Sequence, residues 1–202
     1  MKKLVIASNN KHKVEEISNL LDSKIHLLTL KDIGCFDEIP EDQDTLQGNA
    51  HQKAMYIYQK FGYDCFADDT GLEVEALSGE PGVYSARYSK DEAPDIPEKD
   101  RSIYNIEKLL RKLTGQHNRK AAFRTSICLI EKGLVTYFEG KVEGNIIEDT
   151  RGALGFGYDP IFIPVGYNIT FAEMDLSEKN KISHRSIATN RLLAYLNSST
   201  FK

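Results

Sequence analysis

This 202-residue sequence contains few cysteines, no long apolar run and no basic tail. The three cysteines, Cys35, Cys65 and Cys128, are an odd number, and none forms a C-x-x-C pair. This usage is typical of a reducing compartment and disfavours a disulfide-stabilised secreted domain. The apolar segment 4–7 is too short for a signal-peptide core, and no later segment could span a bilayer. We therefore expect a cytoplasmic protein.

An excess of positive charge is also missing. The formal net charge is -4, with charges of both signs spread along the chain. This balance disfavours a protein that coats nucleic acid or binds membrane surfaces. A hydrophobic share of 41% is ample for a continuous core, and the length fits one large domain or two interlocked lobes. A polyanionic ligand would therefore have to meet local positive charge.

The pattern of apolar residues predicts an α/β protein. Strands are predicted at 3–7, 25–29 and 65–67, helices at 11–21, 48–61 and 101–113, a hairpin at 121–131 and 134–141, a third strand at 144–147, and a last helix at 183–196. Residues 90–100 are polar and contain Pro94 and Pro97. We predict that this segment connects two lobes.

The first candidate site lies between the first strand and the first helix. It consists of Ser8, Asn9, Asn10, Lys11, His12 and Lys13. A helix amino terminus attracts anions through its unpaired N–H groups and its dipole. The dipole disfavours the lysines at this end unless a phosphate offsets the repulsion. The segment is thus a candidate phosphate site, with a capped helix and solvated lysines as the alternative.

The second candidate site is the run Asp68, Asp69, Thr70 and Gly71. We expect the preceding strand to end here, and Gly71 to let the backbone bend so that both carboxylates face one site. Carboxylate oxygens are suitable ligands for Mg²⁺, which keeps several waters and bridges to phosphates. The alternative is an Asp-rich β-turn whose side chains cap their own backbone.

The third candidate site is Gly155, Phe156, Gly157, Tyr158, Asp159 and Pro160. The glycines allow the backbone to approach a ligand, and Phe156 could stack on a nucleobase. The third glycine of a dinucleotide-binding fingerprint is missing. The alternative is a tight turn with core aromatics.

The fourth candidate site runs from Lys179 to Arg185, with Ser183, His184 and Arg185 at the start of the last helix. Arg and protonated His only donate hydrogen bonds, so they suit an oxo group and reject the amino group of adenine. The alternative is a capped surface helix with a lone histidine.

These four clusters, in this order and at these intervals, resemble the Ham1/RdgB family of inosine triphosphate pyrophosphatases. The likeness covers nearly the whole chain, including the segments 66–72 and 81–88. It implies a single domain over residues 1–202, in which a long curved mixed β-sheet is flanked by helices in two lobes with a nucleotide-binding cleft between them. It also implies a homodimer and the hydrolysis of ITP, dITP and XTP to the monophosphate and pyrophosphate.

The resemblance also implies roles for individual residues. Asp69 would accept a proton from the attacking water and bind Mg²⁺, with Asp68 as a helper. Lys13 and Lys179 would hold phosphates, and Thr70 would touch the substrate. The triphosphate would lie against Ser8, Asn9, Asn10, Lys11, His12 and Lys13, and the base would be gripped by Phe156, Gly157, Tyr158, Asp159, His184 and Arg185.

One departure from the family pattern concerns the metal. Many relatives carry an acidic ligand directly before the Asn-Ala pair of the second helix, where this chain has Gly48. Glu38, Glu41 or another acid from the preceding loop would replace it, or water would complete the shell. The resemblance leaves this choice open.

Two rival functions follow from the same residues. One is a Maf-like pyrophosphatase that acts on modified pyrimidine nucleotides. The hydrogen-bond donors of His184 and Arg185 disfavour this alternative. The other is a nucleotide-sensing or nucleic-acid-binding module without catalysis, and the acidic balance disfavours nucleic acid. The order of preference among ITP, dITP and XTP is not determined by the sequence.

Overall fold

The computed structural model describes residues 2–20 and 25–198. The elements are β1 (Lys2–Ile6), α1 (Lys11–Ser18), β2 (Ile25–Leu28), α2 (Leu46–Phe61), β3 (Cys65–Val74), α3 (Arg101–Lys112), β4 (Lys120–Glu131), β5 (Leu134–Ile146), β6 (Phe162–Pro164), α4 (Leu176–Ile182) and α5 (His184–Ser198). Short 3-10 turns lie at Glu75–Leu77, Gly82–Arg87, Glu98–Asp100 and Asp159–Ile161. Within the described ranges, no helix is both long and apolar enough to cross a membrane.

The strands form one mixed sheet, which confirms the predicted α/β class. Its six strands have the order β2-β1-β3-β4-β5-β6. β1 is parallel to β2 and β3, whereas β5 is antiparallel to β6. The β4–β5 connection is the predicted hairpin. Lys132 and Gly133 both have positive φ, at 49° and 82°, which is the requirement of a two-residue type I′ turn.

Two predicted strand boundaries are wrong, and one helix was not predicted. β3 does not end at Asp68 but continues to Val74, and its residues are buried or half-buried along the whole length. The predicted strands 134–141 and 144–147 are one strand, β5. α4 separates from α5 at Ser183, and no separate helix was predicted there. The predicted end of the first helix, at residue 21, lies outside the described residues.

The described chain divides into two compact units. The first comprises the described residues 2–20, 25–69, 125–140 and 184–198, and the second comprises 70–124 and 141–183. Residues 90–100 lie within the second unit. In the second unit, the core is aromatic-rich, and the rings of Phe123, Phe162 and Phe171 contact one another.

The first unit has three layers. Residues of one strand parity, among them Val5, Ala67 and Cys128, pack against α2. Residues of the other parity, among them Phe66 and Ile127, pack against α1 and α5, with the helix residues Ile17, Ala188 and Leu192 in the same cluster. Within this unit, the central strands β1, β3 and β4 are therefore buried on both faces, because side chains alternate along a strand.

Candidate active site

Asp68 and Asp69 face opposite sides of β3. Phe66 packs on the α1 and α5 side and Ala67 on the α2 side, so the alternation directs Asp68 toward α1 and α5 and Asp69 toward α2. The expected bend at Gly71 is wrong, because Gly71 lies inside the strand. Each carboxylate therefore meets its own set of cations.

Asp68 lies between two cations. Its side chain is fully buried, Lys13 Nζ is 3.0 Å from Oδ2, and Arg185 Nε donates to the same oxygen at 3.4 Å. Burial alone would raise the pKa of Asp68. The charges of Lys13, Arg185 and Lys53 outweigh this effect and hold that pKa below its ordinary value. Asp68 is therefore a carboxylate at neutral pH.

Arg185 completes a buried charge group with Glu16. It is only 1% exposed, and its Nη1 donates to Glu16 Oε2. Burial acts to lower the pKa of Arg185, but Glu16 and Asp68 overcome it and the pKa is raised. Lys13, Glu16, Asp68 and Arg185 thus combine two positive and two negative charges with no net charge.

Asp69 is held by α2. Asn49 Nδ2 donates to Asp69 Oδ2 at 3.0 Å, and Gln43 N donates to Asn49 Oδ1 at 2.9 Å. The backbone donor fixes the orientation of the Asn49 amide, since only its oxygen can accept. Lys53 Nζ lies 3.8 Å from Asp69 Oδ1 and also binds Glu41. Burial nevertheless raises the pKa of Asp69, against the opposing effects of Lys53, Lys13 and Asn49.

The amino terminus of α1 is capped by Asn10. Its side-chain oxygen accepts from the backbone N–H groups of His12 at 3.1 Å and Lys13 at 3.2 Å. Lys11 and His12 are exposed, as are Asn9 and Asn10, whereas Ser8 is half-buried. The Lys13 side chain is only 14% exposed. Burial lowers its pKa, an effect that Asp68 only partly offsets. The unusual lysine at this helix end therefore has a buried carboxylate, that of Asp68, as its partner.

In the second unit, Lys179 meets the glycine-rich turn. Asp159 Oδ2 accepts from Lys179 Nζ and from Phe156 N, both at 2.8 Å. Lys179 Nζ also lies 5.0 Å from the centroid of the Phe156 ring. A Cβ at Gly155, which has φ +74°, would overlap with the Asp159 carboxylate. Lys179, from the fourth candidate site, therefore contacts the third candidate site through an ion pair with Asp159 and a cation–π contact with Phe156.

The remaining predicted residues have distinct surroundings. Tyr158 is buried, its hydroxyl donates to the Ser85 carbonyl at 3.0 Å, and burial raises the pKa of its phenol. Thr70 follows Asp69 in β3 and is half-buried, and Gly157 has φ +62°. His184 begins α5 in the first unit and is buried.

Sequence reasoning missed Glu16, Asn49 and Lys53, and it left Glu41 as one option among several. A signal existed for two of them. Asn49 and Lys53 are four residues apart on the buried face of α2, where the other positions are Ala50, Ala54 and Ile57. A polar pair that interrupts an apolar helix face needs a buried partner. Within residues 2–20 and 25–198, no three His, Cys, Asp or Glu side chains form a group that could hold a metal ion.

The arrangement in the first unit defines a class of chemistry. Asp69, a carboxylate with a raised pKa, lies beside the buried Lys53 on the central strand β3, an arrangement in which it can accept a proton.

Comparison with known proteins identifies the family to which this sequence is similar. The sequence model of the Ham1 family matches residues 4–195. The dITP/XTP pyrophosphatase of Flavobacterium psychrophilum is 50% identical over 192 residues, which cover 95% of this chain and 97% of the relative. That of Christiangramia forsetii is 52% identical over 194 residues, which cover 96% of this chain and 98% of the relative.

Solved structures agree with the sequence comparison. The Staphylococcus aureus Ham1 protein matches with a TM-score of 0.87 and 36% identity, over 98% of this chain and 100% of that chain. A HAM1 protein from Coxiella burnetii matches with a TM-score of 0.88 and 34% identity over the same shares. This chain belongs to the Ham1 family.

Proposed function

We propose that this protein hydrolyses non-canonical purine nucleoside triphosphates, such as ITP, dITP and XTP, to the nucleoside monophosphate and pyrophosphate. The observation that carries the chemistry is the buried carboxylate of Asp69, held by Asn49 beside Lys53. The names of relatives that are about 50% identical over almost the full chain support the choice of substrate.

Asp69 is the proposed proton acceptor. A carboxylate whose pKa is raised by burial is a stronger base, and Asn49 and Lys53 restrict its orientation. Asp69 takes a proton from a water that attacks the α-phosphorus, and pyrophosphate leaves. Positioning and charge neutralisation supply the rate enhancement, and no covalent intermediate is needed.

Mg²⁺ is the proposed cofactor. Asp69 and Glu41 both lie at the ammonium of Lys53, so two carboxylates already accommodate positive charge at one point. Mg²⁺ takes oxygen ligands, commonly one or two carboxylates together with phosphates and water. When bound, it would neutralise charge on the leaving pyrophosphate. We therefore choose Glu41 as the metal ligand that takes the place of the acid missing at Gly48. Asp68 is already paired with two cations and remains a helper.

The substrate contacts are proposed residue by residue. Lys13, with Ser8, Asn9, Asn10, Lys11 and His12, would bind phosphate, as would Lys179, and Thr70 would touch the substrate. Phe156 would stack on the base, supported by the cation that lies over its ring. Gly157, Tyr158, Asp159, His184 and Arg185 complete the proposed base contacts. A homodimer, a cytoplasmic location and a single functional domain over residues 1–202 belong to the same proposal.

A substrate comparison tests the function. Initial rates with ITP, dITP, XTP, ATP, GTP and a modified pyrimidine triphosphate are measured with and without Mg²⁺, and pyrophosphate is scored against orthophosphate. We expect pyrophosphate, faster turnover of the three oxo-purine substrates and loss of activity without Mg²⁺. Equal turnover of ATP would reject oxo-purine selectivity, and preference for the pyrimidine would favour the Maf-like alternative. Orthophosphate as the first product would identify a phosphatase, and binding without turnover a non-catalytic module.

Substitution of Asp69 tests the mechanism. Asp69→Asn keeps the size of the side chain but removes the proton acceptor. We expect the rate of pyrophosphate release from ITP to fall by about 10²- to 10⁴-fold, whereas ITP binding is retained. Asp95→Asn, the same change at an exposed position, is the control and should keep the full rate. An unchanged rate in Asp69→Asn would remove Asp69 from the mechanism.

A further inference from the structure

A buried carboxylate on α1, that of Glu16, has no part in the reaction proposed above. Glu16 is 5% exposed, whereas its neighbour Glu15 is exposed to solvent. Burial of a charged side chain is costly unless the charge is paired and hydrogen-bonded. The position of Glu16, three residues after Lys13, places both side chains on the same face of α1. The burial of Glu16 therefore indicates a specific partner near Lys13.

That partner is Arg185 at the start of α5. Arg185 Nη1 donates to Glu16, while Arg185 Nε donates to Asp68 Oδ2 at 3.4 Å. Lys13 Nζ lies 3.0 Å from the same Oδ2 atom of Asp68. Lys13 and Arg185 thus share one carboxylate oxygen of Asp68. Glu16 binds Arg185 through a different nitrogen of the guanidinium, Nη1.

The sharing of Asp68 depends on charge balance. A guanidinium stays charged at any pH that a protein tolerates, so a buried arginine must face carboxylates. If Glu16 loses its charge, the nearest remaining carboxylate in this contact set is that of Asp68. Arg185 would then be drawn toward Asp68 and compete with Lys13 for it. The ammonium of Lys13 would lose the contact that directs it.

We propose that Glu16 is a positioning residue for phosphate binding: by holding Arg185, it leaves Asp68 to orient the ammonium of Lys13. This inference rests on the proposed function, because it takes a nucleoside triphosphate as the anion that Lys13 binds. Glu16 does not contact the substrate. Its effect on the phosphate tail of the nucleotide is transmitted through Arg185 and Asp68 to Lys13.

Affinity measurements separate this role from a purely structural one. Isothermal titration calorimetry compares the α,β-methylene analogue of ITP, which resists hydrolysis, with IMP. In Glu16→Gln, we expect the preference for the triphosphate analogue over IMP to fall by about tenfold, since a hydrogen-bonded charge contact is lost. Glu15→Gln, the same change one residue earlier on the exposed face, should keep the wild-type preference.

A double-mutant cycle tests whether the effect passes through Lys13. In a Lys13→Ala background, Glu16→Gln should change the preference by less than about twofold. A full further loss in that background, or an equal loss of affinity for both ligands in the single variant, would overturn the proposal. If Glu16→Gln does not fold, Glu16→Asp takes its place. It keeps the charge but shortens the reach, and we expect a smaller fall in preference that also disappears without Lys13.

The wild-type measurement distinguishes this inference from the proposed function. A wild-type protein that does not prefer the triphosphate analogue would show both to be wrong. A wild-type preference that survives unchanged in the folded Glu16 variant would show only the role of Glu16 to be wrong.

Discussion

At the scale of single residues, the neighbouring Asp68 and Asp69 of β3 have opposite pKa shifts: the pKa of Asp68 is lowered and that of Asp69 is raised. Both carboxylates are buried, and burial acts to raise both pKa values. Asp68 meets Lys13 and Arg185 at hydrogen-bond distance, whereas the Lys53 ammonium lies 3.8 Å from Asp69 and is shared with Glu41. Environments that separate the pKa values of two carboxylates commonly separate their roles. The separation agrees with Asp69 as the base and Asp68 as a charge partner.

The low pKa of Asp68 makes a prediction about acid stability. A carboxyl whose folded-state pKa lies below its unfolded value of about 3.9 stabilises the fold above that pH, and the contribution is lost as the pH falls toward the folded pKa. Asp68→Asn leaves Lys13 and Arg185 with one carboxylate fewer. We expect a loss of about 3–5 kcal/mol in the free energy of unfolding at neutral pH. Below about pH 4 the difference from wild type should shrink.

Urea unfolding across the pH range measures this difference. Asp95→Asn, at an exposed position, should follow the wild-type curve throughout. A deficit in Asp68→Asn that is independent of pH would mean that the side chain acts through packing and not through its charge.

At the scale of elements, α5 lies unusually close to β5. A Cβ at Gly140 would overlap with the His184 carbonyl oxygen and lie 2.7 Å from the Ala188 nitrogen. Arg191 Nη1 donates to the Glu139 carbonyl at 2.6 Å along the same contact. This approach fixes the first turn of α5, and that turn carries Arg185.

Gly140→Ala should therefore destabilise the protein by about 1–3 kcal/mol, because backbone atoms and not flexible side chains occupy the space. Chemical denaturation measures the change. Lys141→Ala, at the next and exposed position of β5, should lie within about 0.5 kcal/mol of wild type. Equal stability of the two variants would mean that α5 can shift without cost. We also expect Gly140→Ala to weaken triphosphate binding, since Arg185 moves with α5.

At the scale of the whole molecule, the proposed homodimer is open to a direct measurement. The chain has a mass of 22.8 kDa, and sedimentation equilibrium should report about twice this mass at micromolar concentration, as expected for a symmetric pair. A single species with the mass of the chain would remove the dimer from the proposal. The outcome does not affect the role of Asp69, whose described partners all lie in the same chain.

Local patterns in the sequence determined much of this protein. The strand, polar turn and helix from β1 to α1, the cap at Asn10 and the hairpin at Lys132 and Gly133 depend on residues that are close in the chain, so pattern and turn chemistry predict them. The four clusters also identified the family. The path of β3 was not predicted, because two adjacent aspartates resemble a turn until their partners are known.

Only the tertiary structure decided how the charges pair. Glu16 and Arg185 are 169 positions apart, and Asp159 and Lys179 are 20 apart. Nothing in the neighbouring residues specifies either contact. The opposite orientation of Asp68 and Asp69 follows from strand alternation, but their opposite pKa shifts follow from helices that come from other parts of the chain. A carboxylate's chemistry is determined by the groups that folding places around it, and those groups are rarely its neighbours in sequence.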